Sequence, residues 1–137
     1  MNREEIKNII PHREPMLLID EGYAIDEVSG VGSYTVRGNE WFLQGHFPGN
    51  PVVPGVILCE MMAQSCCVVL GNRIKGFNTY FTGIDNVRFK NKVRPGDVFD
   101  IECTMTRIKH PFYFVKVRGS VDGKLCVSGE FSFALVK

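Results

Sequence analysis

From Gly55 to Gly71 the chain reads Gly-Val-Ile-Leu-Cys-Glu-Met-Met-Ala-Gln-Ser-Cys-Cys-Val-Val-Leu-Gly, and Glu60 is the only charged residue between Pro54 and Arg73. Wound into a helix, this run is apolar on nearly every side, so it has no face to offer water and must be enclosed by the rest of the chain. Gly71 is placed to stop it. The run is shorter than the roughly 20 residues of a bilayer span. Its enclosure is therefore expected to be protein, not lipid.

The remaining sequence reads as a sheet that could supply that enclosure. Tyr80 to Val93, Val98 to Ile108, Tyr113 to Val121 and Lys124 to Val136 have strand character, punctuated by Pro95-Gly96, His110-Pro111 and Asp122-Gly123. In the second, Phe99, Ile101, Cys103 and Met105 alternate with Asp100, Glu102, Thr104 and Thr106. In the last, Leu125, Val127, Phe131, Phe133 and Leu135 oppose Ser128, Glu130 and Ser132. One sheet face is therefore apolar and the other polar. Met16 to Asp20 and Val31 to Arg37 read as two earlier strands joined through a turn around Ser29-Gly30. Before them, Asn2 and Glu5 form a capping-box pattern ahead of Ile6, Ile9 and Ile10, which predicts a short helix stopped by Pro11. These patterns ask for an α+β domain over residues 1–137: a long, twisted antiparallel sheet around one buried helix, a hot-dog-like arrangement.

The bulk properties exclude several function classes. With 45% hydrophobic and 23% charged residues the chain is neither disordered nor low in complexity. A formal charge of +1 gives no global pull toward nucleic acid or an anionic membrane. Cys59, Cys66, Cys67, Cys103 and Cys126 are odd in number and lack metal-site spacing, which reads as reduced core thiols in a cytoplasmic protein. The charged start Met-Asn-Arg-Glu-Glu-Ile-Lys lacks the apolar stretch of a secretory signal.

Chemistry points to the segment from Gly38 to Pro54, where Gly45, Pro48, Gly49, Pro51 and Pro54 forbid regular structure and predict a shaped loop. His46 lies in it. An imidazole held there is either a proton acceptor poised near neutrality or a loop histidine bonded to a backbone carbonyl. Glu60 is the complementary candidate: burial would disfavour its ionised form and keep a proton available for donation. Neither Lys nor Arg lies one helical turn away to neutralise it, and Gln64, at i+4, can orient it. Gly55 is either a plain helix entrance or an amide donor that approaches a carbonyl oxygen unshielded, at the positive end of a helix.

The stretch Gly45-His46-Phe47-Pro48-Gly49-Asn50-Pro51-Val52-Val53-Pro54-Gly55-Val56, followed by Glu60-Met61-Met62-Ala63-Gln64, resembles the FabZ-like 3-hydroxyacyl-acyl-carrier-protein dehydratases of type II fatty acid synthesis. Pro11-His12-Arg13, Leu17-Leu18, Asp20, Val87-Arg88-Phe89 and Pro95-Gly96-Asp97 extend the likeness over nearly the whole chain. The resemblance implies a hot-dog fold and dehydration of (3R)-3-hydroxyacyl carrier protein to the trans-2-enoyl product, in fatty acid or related polyketide synthesis. It makes His46 and Glu60 the catalytic pair, and Gly55 the donor to the thioester oxygen. Glu60, where dehydratase-isomerases of the FabA-like type carry Asp, favours dehydration without isomerisation. Val56, Met61, Gln64, Tyr80 and Phe81 are implied at the substrate, although strand packing explains the two aromatic residues equally well. Met61 stands where many relatives have a small residue.

The resemblance further implies homodimers with shared sites, assembling in some members into hexamers. No metal or redox cofactor is implied, the substrate being carried on the phosphopantetheine arm of acyl carrier protein. Arg88, Lys90, Lys92 and Arg94 recur every second residue, which on a regular strand places all four on one face, as a carrier-protein surface or as a solvated edge. His12 reads as structural and His110 as a turn residue. Two rival readings keep the fold: an acyl thioesterase, and a non-catalytic carrier-binding subunit.

Overall fold

The computed structural model describes residues 1–137, apart from the side chain of Asn72. The chain begins with a one-turn helix α1 (Arg3–Ile6), whose capping box is formed between Asn2 and Glu5. Strands β1 (Glu21–Ala24) and β2 (Ser29–Thr35) precede the loop, and helix α2 (Gly55–Leu70) follows it. Then come β3 (Asn78–Phe89), β4 (Val98–Lys109), β5 (Phe112–Val121) and β6 (Lys124–Val136). Among the described residues these six strands form one antiparallel sheet in the order β1-β2-β4-β5-β6-β3.

Helix α2 lies across the sheet against β1, β2, β4 and β5, as its all-round apolar sequence requires. From Leu58 to Leu70 every residue but Glu60 is buried. The helix comes close enough to β2 that a Cβ at Gly32 would lie 2.3 Å from Ser65 Oγ, and one at Gly30 2.4 Å from Val69 Cγ2. Glycine in β2 is what lets helix and sheet touch. Alternation in β4 is as read: Phe99, Ile101, Cys103 and Met105 are buried, and Asp100, Glu102 and Thr104 exposed.

The five cysteines are free and buried. Cys66 Sγ lies 3.1 Å from Cys103 Sγ, and burial pushes the thiol of Cys66 up and that of Cys67 to about 12, which leaves them inert.

Three readings of the sequence are corrected. Met16 to Asp20 is not a strand: Leu17, Leu18 and Ile19 are all buried, and the Leu18 N–H donates to the Gln64 side chain rather than to a neighbouring strand. Ser29 and Gly30 open β2, and the turn before them is closed by Ile25 and Asp26 N–H groups on the Ser29 carbonyl. The strand expected to reach Val93 ends at Phe89, because the Lys90 and Asn91 amides both turn to Cys126 O. Arg88 alone of the four basic residues therefore lies on a strand, and no regular strand face carries all four.

Candidate active site

The loop that carries His46 is pinned at its root by two carboxylates. Asp20 accepts from Arg3, Arg37 and the Thr35 amide, and Glu40 from the Tyr34 hydroxyl and the amides of Arg37 and Gly38. Burial and the Glu40 carboxylate push the Tyr34 hydroxyl up to about 12, so it stays a donor. A single 3-10 turn, Trp41–Leu43, sinks Phe42 and Leu43 into the core. The chain then doubles back, with His46 N–H donating to Leu43 O and Val52 N–H to His46 O. Gly45 and Gly49 hold φ of +82° and +73°, which side chains resist, and so they permit the reversal.

His46 Nδ1 lies 3.0 Å from Val52 O. A carbonyl can only accept, so the proton is assigned to Nδ1 and Nε2 keeps its lone pair. The structure shows the second reading of His46, a ring bonded to a backbone carbonyl, and that bond fixes Nε2 as the unprotonated nitrogen.

Val53 N–H donates to Val93 O, and Pro54 then opens α2. The first amides of a helix have no acceptor within it, so Gly55 and Val56 present N–H groups at its positive end. Val56 is 76% exposed. Gly55 borders a cavity of about 400 Å³ shared with Leu58, Phe89, Lys90 and Lys92. A Cβ at Gly55 would come within 2.8 Å of the Phe89 ring, so glycine is what the close approach requires.

Glu60 faces a different, smaller cavity of about 50 Å³. It is not fully enclosed, as the sequence had suggested, its side chain being 24% exposed. Gln64 Nε2 donates to Glu60 Oε2 at 2.9 Å and to Met16 O at 2.8 Å, while its Oε1 accepts from the Leu18 amide. The imidazole of His12, read as merely structural, lies with Nε2 3.5 Å from Glu60 Oε2. Cys67, Thr79, Phe81 and Phe133 complete the wall.

The remaining site residues are dispersed. Phe81 borders Glu60's cavity, whereas Tyr80 points outward at 55% exposure and Met61 is wholly buried in the core. Lys90, Lys92, Arg94 and Lys124 line a third cavity of about 580 Å³. It shares Lys90, Asn91 and Lys92 with the cavity at Gly55, so basic side chains lead toward the start of α2. Arg88 is not among its lining residues, and its guanidinium bonds the adjacent Val87 carbonyl. His110 is in a turn beside Tyr113. Among the described residues no cluster of His, Cys, Asp or Glu is arranged to hold a metal, and no helix is long and apolar enough to cross a membrane.

The cavities at Gly55 and at Glu60 have no lining residue in common. The reason is helical: five residues at 100° each turn two side chains about 140° apart. One chain thus carries the candidate amide donors on one side of α2 and the candidate acid on another, with His46 tied to the first cavity through Val52, which lines it.

Comparison with known proteins gives this arrangement a family. The FabA-like domain matches residues 10–130. The 3-hydroxyacyl-[acyl-carrier-protein] dehydratase FabZ of Clostridium perfringens (strain SM101 / Type A) is 44% identical over 98% of this chain and 99% of that protein. That of Bacillus cereus (strain AH187) is 43% identical over 98% and 96%. Among solved structures, the dehydratase heterocomplex ApeI:P from Xenorhabdus doucetiae matches with a TM-score of 0.83 at 22% identity, covering 96% of this chain and 91% of that one. An HP0420 homologue from Helicobacter felis matches at 0.72 and 14% identity, covering 97% and 99%. The structural likenesses show the fold, a hot-dog, and the match along the sequence shows the lineage: the chain belongs to the FabA-like family, alongside the FabZ dehydratases.

Proposed function

We propose that the protein dehydrates (3R)-3-hydroxyacyl groups carried by acyl carrier protein to trans-2-enoyl groups; the relatives are named 3-hydroxyacyl-[acyl-carrier-protein] dehydratases. The His46 Nε2 lone pair takes a proton from C2. Glu60 gives a proton to the C3 hydroxyl, the C3–O bond breaks, and water leaves as the C2–C3 double bond forms. The Gly55 and Val56 amides hold the thioester oxygen as negative charge develops on it. No cofactor takes part, and the basic side chains at Lys90, Lys92, Arg94 and Lys124 suit an acidic, phosphate-bearing carrier. A cytoplasmic location fits five free thiols.

The observation that carries this reading is the division of the site within one chain. Glu60's cavity is bordered by Thr79 and Phe81 at one end of β3, and Gly55's by Phe89 at the other. β3 is bonded to β6 on one side only, and Tyr80, Phe81, Ile84 and Phe89 along it are exposed. A long, apolar, open edge is a template for pairing. Antiparallel pairing of β3 with its own copy about a two-fold axis exchanges the two ends, and so brings His46 and Gly55 of one protomer toward Glu60 of its partner.

The test uses that symmetry. Subunits carrying His46→Ala and Glu60→Ala, each inactive alone, are mixed by refolding, and enoyl absorbance is followed with a 3-hydroxyacyl carrier substrate. Random pairing makes about half the dimers hybrid, each with one intact site, so roughly a quarter of wild-type sites should return. Proven hybrids without activity would defeat the shared site. Release of free thiol from a saturated acyl thioester, without enoyl formation, would identify a thioesterase instead.

A further inference from the structure

We infer that His12 is a positioning residue for Glu60, fixing which carboxyl oxygen of the acid faces the substrate. The inference rests on the assignment of Glu60 as the acid.

His12 and Glu60 face one cavity, and His12 Nε2 is 3.5 Å from Glu60 Oε2. The other ring nitrogen, Nδ1, is buried and has no hydrogen-bond partner. The ring's one polar approach is that of Nε2 to Glu60 Oε2, at a distance longer than a formed hydrogen bond. With its proton on Nε2, His12 is placed to donate to Oε2 once that gap closes by a few tenths of an ångström, beside Gln64, which already donates to the same oxygen at 2.9 Å. With both donors engaged, Oε2 is the carbonyl-like acceptor of the protonated carboxyl, which leaves the transferable proton on Oε1. Oε1 is then the oxygen left to meet the C3 hydroxyl.

The segment bearing His12 is held as if its placement mattered. The Arg13 guanidinium donates to the carbonyls of Lys7, Ile10 and His12, at 3.1, 3.0 and 2.7 Å. Gln64 grips Met16 and Leu18 further along, and Trp41 Nε1 donates to Pro15 O. These bonds bind the segment from both ends, to α2 and to the loop that carries His46. A ring needed only for bulk would not require its polar edge to be turned to the one carboxylate on α2.

The test is a set of substitutions read by kcat and KM together. His12→Phe keeps a planar ring and removes the donor, while His12→Gln restores an amide N–H near the position of Nε2. His12→Phe should lower kcat about tenfold with KM changed less than about threefold, the mark of an interaction expressed at the reacting group. His12→Gln should stay within about threefold of wild type. In a Glu60→Gln background His12→Phe should cost less than about twofold more, because its effect passes through the carboxylate. His12→Leu is run beside His12→Phe, with thermal melts and gel-filtration elution for all variants, so that one misfolded substitution does not remove the comparison. The inference is overturned if folded His12→Phe or His12→Leu keeps wild-type kcat, if His12→Gln is as impaired as His12→Phe, or if the losses simply multiply in the Glu60→Gln background. Near-wild-type turnover by Glu60→Gln itself is a separate result: it removes Glu60 as the acid, and this inference falls with it.

Discussion

His46 lies on a loop whose shape is set by backbone: glycines of positive φ, prolines, and a ring nitrogen bonded to the Val52 carbonyl. Its side-chain anchors, Asp20 and Glu40, hold the loop's root and do not touch the imidazole. Glu60 lies on a helix buried on nearly every side, and is held by the Gln64 side chain of its own helix, with His12 of the N-terminal segment 3.5 Å away. The difference suits the two tasks. A base needs one nitrogen fixed and the other free, which a single carbonyl achieves. An acid needs the oxygen that carries its proton oriented, which a donor on the other oxygen achieves.

Removing either candidate reacting group should have the largest effect. His46→Ala and Glu60→Gln should each lower turnover by at least ~100-fold, the usual loss for an acid or base, with thermal melts unchanged within a few degrees. Enoyl absorbance measures the first quantity and circular dichroism the second. Near-wild-type turnover in one variant would strike that residue from the mechanism and leave the other half standing.

Gln64→Leu attacks the helix half alone. Gln64 is 1% exposed, and its loss leaves the Leu18 amide and the Met16 carbonyl without their partner as well as Glu60. Stability to urea should fall by about 2–4 kcal/mol, the sum expected for buried groups left unpaired. A loss below about 1 kcal/mol would mean that water replaces the amide, and that the segment is not latched as described.

Gly55→Ala attacks the start of the helix, on the loop side of the division. The new Cβ meets the Phe89 ring at 2.8 Å, so either the ring or the helix must shift. A cost of about 1–3 kcal/mol in stability is expected, together with weaker substrate binding. Adding Phe89→Leu should recover stability, by making room. If the double variant is no more stable than the single one, the tight contact is not what demands glycine.

The sequence foretold what depends on periodicity. An apolar run with one charge is a buried helix whatever surrounds it, and alternation in β4 states which face is covered. The shaped loop was legible too, because glycine and proline act locally. What escaped depended on partners distant in sequence. Met16 to Asp20 looks like a strand, yet the Leu18 amide bonds a side chain 46 residues away. Lys90 to Arg94 continues a strand-like alternation, yet the ladder has already ended at Cys126 O. His12 belongs to a Pro-His-Arg stretch that resembles relatives, but nothing near it in sequence shows that it meets Glu60. The sequence marked the candidate pair, and the side chains gathered around Glu60 became visible only in three dimensions.

The smallest expected effect concerns the basic side chains. Lys90 and Lys92 border both the cavity at Gly55 and the basic cavity beside it, whereas Arg88 is exposed on β3 and lines neither. If the basic group receives a carrier, Lys92→Glu should weaken use of carrier-linked substrate about three- to tenfold at low salt, and coenzyme A-linked substrate less, because only the carrier presents an extended acidic surface. The difference should shrink as salt rises, since exposed charges are screened within about 8 Å at physiological ionic strength. Arg88→Glu is the control, and it should change the ratio of the two substrates less than Lys92→Glu does. kcat/KM on both substrates, at two salt concentrations, decides the matter. Equal losses on both would reduce the cluster to a solvated edge. An Arg88 effect as large as that of Lys92 would restore the view that the whole basic stripe acts together, despite the end of the strand at Phe89.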